Sequence, residues 1–144
     1  MLALGGAAQT FFHVGVVVPD LEAAMAELGP AIGADWSGPL EREVGEWVVR
    51  ATFAQTAPPY VELIEAVPGS VWEATPGAPI HHMSYWSDDL DADGVRLEAA
   101  GMALELDLQF IRYHRGKTSA TRIELLDSGV HAAFFERWDL PQQS

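Results

Sequence analysis

Two histidines and two glutamates recur at matching places in the two halves of this 144-residue chain. His13 lies in the phrase F-F-H-V-G-V-V-V-P-D-L, and His82 in its echo I-H-H-M-S-Y-W-S-D-D-L. Glu62 lies in V-E-L-I-E-A and Glu124 in I-E-L-L-D-S, near the end of each half. Two imidazoles and two carboxylates are the parts of a four-ligand metal site shared by the halves. Such a set suits Zn, Fe, Ni, Co or Mn.

The two glutamates lie inside apolar segments, which predicts buried carboxylates. Glu62 stands between Val61 and Leu63, and Glu124 is likewise flanked by isoleucine and leucine. A carboxylate that is buried without a partner costs on the order of several kcal/mol. One divalent ion, bound by both carboxylates and both imidazoles, would remove that cost.

Strand alternation predicts which histidine of the adjacent pair faces the ion. Successive side chains of a strand point to opposite faces of the sheet. His82 aligns with His13 in the repeat, whereas His81 aligns with Phe12 and should point to the other face. The sequence therefore predicts His82 as the ligand and places Trp86 on its face.

The elements that position these residues are predicted from the hydrophobic pattern and the turn residues. Both halves have the order β-α-β-β-β, with strands at about 11–18, 40–44, 47–55, 60–67, 80–87, 103–109, 110–114 and 121–126, and helices at about 21–28, 90–100 and 131–138. Gly29-Pro30 is expected to end the first helix. The pattern predicts one α+β domain over 1–144, with module 1 at about 10–68, a linker at about 68–79 and module 2 at about 80–140. Each half needs a cover for its sheet, which the other half supplies.

Composition excludes several classes of function and partner. The formal net charge is −13, which argues against nucleic acid and anionic membranes as partners. No apolar run approaches a membrane span, and the N-terminus lacks the features of a signal peptide. The absence of cysteine excludes thiolate metal sites and a cysteine nucleophile, and it fits a cytoplasmic protein. A loose cluster of Arg112, Arg115, Lys117 and Arg122 could hold one anionic group.

The repeated phrases resemble the vicinal oxygen chelate superfamily, and within it the glyoxalase I and methylmalonyl-CoA epimerase branch. The resemblance implies two βαβββ modules around a shared metal-binding cleft, with His13, Glu62, His82 and Glu124 as ligands. It also implies a metal-dependent isomerase, epimerase or lyase that transfers a proton at a carbon next to a carbonyl. Glu124 and Glu62 are then the candidate bases. Glu43 and Glu46 lie in the region of a second base, without a definite assignment. Epimerases of this branch often carry Gln where this chain has Glu62.

Two other functions within the same superfamily stay open at the level of sequence. An extradiol-type Fe(II) dioxygenase normally uses two histidines and one carboxylate, so Glu62 would be one ligand too many. A non-catalytic, drug-binding protein of the bleomycin-resistance kind needs no metal and has little reason to keep four ligands.

The substrate pocket is expected to be aromatic, with Trp86, Tyr60, His114 and Arg112 as candidate lining residues. His114 could equally be a second base or a surface histidine. Few basic and many aromatic residues predict an apolar or cyclic carbonyl substrate rather than a CoA thioester or a glutathione adduct. The resemblance also suggests a homodimer, paired through exposed sheet edges.

Overall fold

The computed structural model describes residues 11–141. Both halves have the predicted order β-α-β-β-β. The elements are β1 (Phe11–Val18), α1 (Leu21–Ile32), β2 (Leu40–Val44), β3 (Trp47–Phe53), β4 (Tyr60–Glu65), β5 (Ile80–Ser87), α2 (Leu90–Ala99), β6 (Met102–Asp107), β7 (Ile111–Gly116), β8 (Arg122–Asp127), a 3₁₀ turn (Ser128–Val130) and α3 (His131–Arg137).

All eight strands form one mixed sheet in the order β2-β3-β4-β1-β5-β8-β7-β6. Within each half the first strand pairs parallel with the last, β1 with β4 and β5 with β8. The halves join where β1 pairs antiparallel with β5. The strands that carry the two histidines are therefore central, and the strands that carry the two glutamates lie directly beside them.

The two faces of the sheet have different roles. α1 packs on one face, where Leu21 and Leu63 are fully buried. α2 covers the same face in the second half, since the Arg112 guanidinium of β7 donates to the Leu90 carbonyl. We call this the helix face. The opposite face, the site face, carries the two histidines and two glutamates and holds the larger aromatic core, with Phe53 among its buried members.

Two β-bulges disturb the junction of β1 and β5. The pairing skips Phe12 in β1 and His81 in β5, two residues that occupy matching places in the repeat. A bulge leaves one residue unpaired and redirects its side chain. Phe12 consequently joins the aromatic core on the site face. The bulge at His81 has the same effect, as the site geometry shows below.

The first helix runs further than its sequence predicts. α1 continues through Pro30 to Ile32 and ends at Gly33, which adopts the left-handed conformation with φ of 67°. Proline removes a single backbone donor, and the N–H of Gly33 closes the last turn on the Gly29 carbonyl. Within residues 11–141, no helix has the length and apolar character needed to cross a membrane.

Candidate metal centre

Four side chains from four strands converge on one buried point of the site face. The Nε2 atoms of His13 and His82 lie 2.9 Å apart. Glu62 Oε1 lies 3.3 Å from His13 Nε2 and 3.5 Å from His82 Nε2. Glu124 Oε1 lies 3.4 and 3.6 Å from the same two nitrogens. The four residues are 1–3% exposed, so the centre is closed to solvent.

The donor set fits a divalent ion. Ligand atoms that lie about 2.0–2.2 Å from an ion are themselves roughly 3.0–3.5 Å apart. The imidazole–carboxylate distances of 3.3–3.6 Å are close to that range. Glu124 Oε1 is buried without a hydrogen-bond partner, which an ion would supply. His13, His82 and Glu124 form a group whose ligand atoms all lie within 4.8 Å of one another. Glu62 is not a member of this group, but its Oε1 lies within 3.5 Å of both imidazole Nε2 atoms.

Backbone register explains how two imidazoles fit so closely together. Gly15 pairs with His82 on one side and with Glu62 on the other. Ser84 pairs in the same manner with His13 and Glu124. A Cβ atom on Gly15 would lie 2.2 Å from His82 Cε1, so only glycine leaves room for that ring.

Electrostatics favour the ionised form of Glu62. Burial alone would raise its pKa, but the imidazoles of His13 and His82 more than offset burial and hold the pKa below its usual range. Glu62 is therefore a carboxylate at neutral pH. A carboxylate is the form that ligates a cation.

His81 lies beside His82, which corrects the prediction that it points to the other face. Its Nδ1 is 2.9 Å from His82 Nδ1, and its Nε2 is 2.6 Å from the Val71 carbonyl oxygen. The reason is the bulge at His81, which breaks the strict alternation of β5. Burial, and then the neighbouring His82, lower the pKa of His81 to about 4, so this ring is neutral at pH 7.

The hydrogen bonds of His81 assign the tautomer of His82. A carbonyl oxygen only accepts, so His81 Nε2–H donates to Val71. The other nitrogen of a neutral imidazole is an acceptor, so His82 Nδ1–H donates to His81. In its neutral form, His82 thereby carries its lone pair on Nε2, the atom in the ligand cluster. His81 acts as a positioning residue for His82.

Tyr113 and Trp72 cover the centre from β7 and from the segment before β5. Tyr113 pairs with Glu124, and its ring centroid lies 5.2 Å from that of His82. Trp72 Nε1 donates to the Tyr113 hydroxyl at 3.1 Å. Burial and the carboxylate of Glu124 raise the pKa of Tyr113 well above its usual value, so the hydroxyl keeps its proton. Sequence reasoning missed both residues, although alternation on β7 would select Tyr113 once its register against β8 is known.

Two predicted pocket residues lie in the aromatic cluster on the site face. Trp86 packs against Phe12, Phe134 and His131. Tyr60 is buried, and its hydroxyl donates to the Pro141 carbonyl at 2.6 Å. The cluster reaches the ligands through Phe53, whose ring centroid lies 5.1 Å from that of His13. We define the aromatic cluster by Phe12, Phe53, Trp86, Phe134, Phe135 and Trp138.

The other two predicted pocket residues lie on the wrong face. Arg112 pairs with Asp91 and Asp107 on the helix face. His114 is 1% exposed beneath α2, where Glu98 Oε1 lies 3.7 Å from its Nε2. Arg112 and His114 flank Tyr113 on β7. Because successive side chains of a strand point to opposite faces, Tyr113 faces the centre and its two neighbours face away from it. His114 is accordingly neither a pocket residue nor a surface histidine.

The residues considered for a second base do not reach the centre. Glu43 and Glu46 have exposed side chains. On β2 the side chains that turn inward are those of Leu40, Arg42 and Val44. This leaves Glu62 and Glu124 as the carboxylates at the ligand cluster.

Comparison with known proteins identifies relatives by sequence. The sequence model of the glyoxalase/bleomycin resistance protein/dioxygenase superfamily matches residues 12–128. An ethylmalonyl-CoA/methylmalonyl-CoA epimerase of Cereibacter sphaeroides is 36% identical over 95 residues, which cover 62% of this chain and 69% of that protein.

Solved structures of epimerases share the fold. A variant of Streptomyces coelicolor methylmalonyl-CoA epimerase in complex with 2-nitronate-propionyl-CoA has a TM-score of 0.62 at 20% identity, covering 82% of this chain and 96% of that one. The methylmalonyl-CoA epimerase of Mycobacterium tuberculosis has a TM-score of 0.62 at 22% identity, covering 88% of this chain and 92% of that one.

Proposed function

This chain belongs to the glyoxalase/bleomycin resistance protein/dioxygenase superfamily, and from that premise we propose that it is a divalent-metal-dependent epimerase, or an isomerase or lyase of the same chemistry, that moves a proton at a carbon next to a carbonyl. The observation that carries the proposal is the buried cluster of two imidazoles and two carboxylates. His13, Glu62, His82 and Glu124 would hold the ion. When bound, the ion would act as a Lewis acid toward a carbonyl oxygen and lower the energy of the enolate.

The two carboxylates suit the transfer of a proton across a stereocentre. Epimerisation removes a proton from one face of a carbon and returns a proton to the other face, so it needs two groups that handle protons. Glu62 and Glu124 each have a carboxylate oxygen within 3.6 Å of both imidazole Nε2 atoms. Glu124 Oε1 has no hydrogen bond to give up, which favours it as the group that takes the proton.

Tyr113 is suited to stabilise the negative charge that develops on the substrate oxygen. Its hydroxyl accepts a hydrogen bond from Trp72 Nε1, and its own proton is retained because its pKa is raised. A fixed donor in a site closed to water contributes more than the same donor in solution. Tyr113 would therefore donate to the enolate oxygen.

The substrate is a small molecule with a carbonyl group, and its reacting part is apolar. The aromatic cluster beside His13 supports this part of the proposal. The named relatives are epimerases of CoA thioesters, a class that composition alone argued against. Methylmalonyl-CoA is consequently the first compound to test, together with small cyclic carbonyl compounds.

The experiment combines metal analysis with isotope exchange. We expect protein purified without chelator to hold one divalent ion per chain. We expect solvent deuterium to appear at the carbon next to the carbonyl of a substrate, and to stop appearing after the metal is removed. Glu124→Gln should lose most of this exchange, because an amide cannot act as a base, whereas Glu136→Gln on the exposed side of α3 should not.

Other outcomes would reject the proposal in favour of the alternatives. Consumption of molecular oxygen without deuterium exchange would indicate a dioxygenase. Tight ligand binding by a protein that holds no metal would indicate a binding protein.

A further inference from the structure

Two arginines of this strongly acidic chain have no ionic partner among residues 11–141. Among the described residues, Arg42 and Arg137 form no salt bridge, although the chain has 21 acidic residues against eight basic ones. The other arginines all pair with carboxylates: Arg50, Arg96, Arg112, Arg115 and Arg122. With so many acids available, two arginines without an ionic partner that line one cavity call for an explanation.

Both arginines line the same cavity. It has a volume of about 210 Å³ and is otherwise apolar, lined by Phe110, Ile111, Leu126, Val130, Ala133 and Phe134. Arg42 and Arg137 also line an adjacent open cavity of about 380 Å³. Glu43 lines the larger cavity but forms no salt bridge with either arginine.

The Arg42 guanidinium packs on two aromatic rings, and its Nε lacks a hydrogen-bond partner. Its Cζ lies 5.7 Å from the ring centroid of Phe134 and 5.3 Å from that of Trp138. Contacts of this kind occupy the faces of the guanidinium plane and leave the N–H groups at its edge available for hydrogen bonds. Arg42 Nε is buried without a hydrogen-bond partner. A buried donor without a partner is costly, and an oxyanion would satisfy it.

The cavity adjoins the metal centre. Leu126, which lines it, is two residues beyond Glu124 on the same face of β8, a distance of roughly 7 Å along a strand. Phe134 stands between the two sites, since it packs on Phe53, the neighbour of His13. A ligand at the metal centre could therefore extend to this cavity along the aromatic cluster.

We propose that Arg42 and Arg137 form a subsite for an oxyanion, a carboxylate or a phosphate, on a part of the substrate distant from the reacting carbon. The guanidinium fork matches both anions, and two cations beside an apolar pocket favour an anion over a neutral group. The subsite makes the substrate an elongated molecule, with a carbonyl at the metal end and a negative charge at the other. The role of this subsite in substrate binding rests on the function proposed above. The binding of anions at the two arginines does not depend on that function.

The test measures anion binding directly, by calorimetric titration of inorganic phosphate and of malonate. Each anion is titrated into the metal-loaded and the metal-free protein, so that coordination to the ion is separated from binding at the arginines. We expect both forms to bind at least one of the two anions. Arg42→Gln should weaken this binding roughly tenfold or more, because a charge-assisted hydrogen bond is lost. Arg42→Lys should recover part of the loss, as the charge returns without the fork.

Matched variants and kinetics complete the design. Arg137→Gln should weaken binding, whereas Arg115→Gln, an exposed residue paired with Glu105, should not. With a substrate, Arg42→Gln should raise KM at unchanged metal content and largely unchanged kcat. Preference for phosphate would point to a nucleotide-bearing substrate, and preference for malonate to a free acid.

Equal binding of phosphate and malonate by wild type and by the Arg42→Gln, Arg137→Gln double variant would overturn the subsite. So would the absence of binding to folded wild-type protein. Loss of anion binding in a protein that holds metal but shows no proton exchange would leave the subsite standing and reject the proposed function instead.

Discussion

At the scale of single residues, the candidate metal centre depends on side chains that are not themselves candidate ligands. His81 Nδ1 accepts a hydrogen bond from His82 Nδ1–H and so directs the lone pair of His82 Nε2 into the cluster. Gly15 leaves the space that the His82 ring occupies. Both can be tested separately from the ligand they serve.

The two adjacent histidines should differ in their effect on metal affinity. We expect His82→Ala to abolish stable metal binding, because it removes a ligand atom. His81→Ala should weaken binding by about 10- to 100-fold, the usual effect of removing the partner of a ligating histidine. Metal titration of both variants, with the exposed His131→Ala as control, measures which substitution lowers the metal affinity more. Equal losses in the two variants would contradict these roles.

Glycine at position 15 should be essential for the same ligand. In Gly15→Ala, the added Cβ would meet the His82 ring at 2.2 Å, so the ring must leave its position. We expect metal content to fall sharply while circular dichroism still reports a folded sheet. Gly38→Ala is the matched control, because a Cβ at Gly38 meets nothing within 4 Å. Normal metal content in Gly15→Ala would show that the cluster tolerates a displaced His82.

At the scale of elements, α3 closes the centre and α2 buries a titratable group. α3 places Phe134 and Phe135 in the aromatic cluster, above ligands that are 1–3% exposed. We expect a substrate to displace the aromatic side chains of this helix before it reaches the candidate ligands. α2 covers His114, which lies away from the ligands.

Truncation of Phe134 should open the centre at a cost in stability. Phe134 is 8% exposed, and replacing a buried phenylalanine by alanine typically costs about 3–5 kcal/mol. We expect Phe134→Ala to lower the free energy of unfolding by that order and to speed the loss of metal to a chelator. Glu136→Ala, exposed on the same helix, is the control. Unchanged metal release would mean that α3 does not limit access.

His114 should make the protein less stable in mild acid. Burial lowers its pKa, and the nearby Glu98 offsets this only in part. The unfolded chain, with a histidine pKa of about 6.5, binds this proton more readily than the folded protein. The neutral ring therefore contributes to the free energy of unfolding above about pH 6.5, and this contribution is lost as the pH falls below that value.

Chemical denaturation between about pH 5 and pH 7 measures the effect. Chelator is present throughout, so that metal release does not contribute. His114→Gln cannot titrate, and its stability should fall less steeply with acid than that of wild type. Glu98, Asp107 and Arg112, the charged groups that act on His114, are the same in both proteins. Parallel curves would show that His114 is not the group responsible.

At the scale of the whole molecule, the sheet has two free edges, β2 and β6. The sequence-based expectation of a homodimer that pairs through sheet edges stays a prediction, and Leu104 on β6 is 45% exposed. We expect light scattering to report twice the chain mass of 15.6 kDa. Leu104→Lys should produce monomer, whereas Val95→Lys on the exposed side of α2 should not.

Two results would revise this assembly. A wild-type mass of 15.6 kDa in dilute solution would reject the dimer. A dimer that survives Leu104→Lys but dissociates in Ile80→Asp would move the interface to the helix face, where Ile80 lines an apolar groove of about 540 Å³ beside α1.

The repeat made the fold and the four candidate ligands predictable, because the same residue types recur in the same strand contexts. Alternation within a strand was less reliable: the bulge at His81 turned that residue toward the site face. The sequence alone does not give the register between β7 and β8, and it therefore predicted Arg112 and His114 as pocket residues. The observed register pairs Tyr113 with Glu124, so Tyr113 faces the centre instead. The bulge and the register are properties of strand pairing, and they cannot be predicted from a single sequence.

The arginine subsite was beyond sequence reasoning for a different reason. Arg42 and Arg137 lie in opposite halves of the chain, and only tertiary packing brings them to one cavity. The basic cluster that sequence did suggest is largely neutralised, since Arg112, Arg115 and Arg122 pair with Asp91, Asp107 and Glu105.

The matching bulges at Phe12 and His81 make the two halves of the centre mechanically unequal. His82 is anchored through its Nδ1 to a second imidazole, whereas His13 Nδ1 is buried without a partner and its ring packs against the aromatic rings of Phe12 and Phe53. His82 would thus be held in place on a bound ion by a second hydrogen bond, whereas His13 has no such hydrogen bond at its Nδ1. When a substrate needs an additional coordination position, we expect the first half of the repeat to release it and the second half to retain the ion.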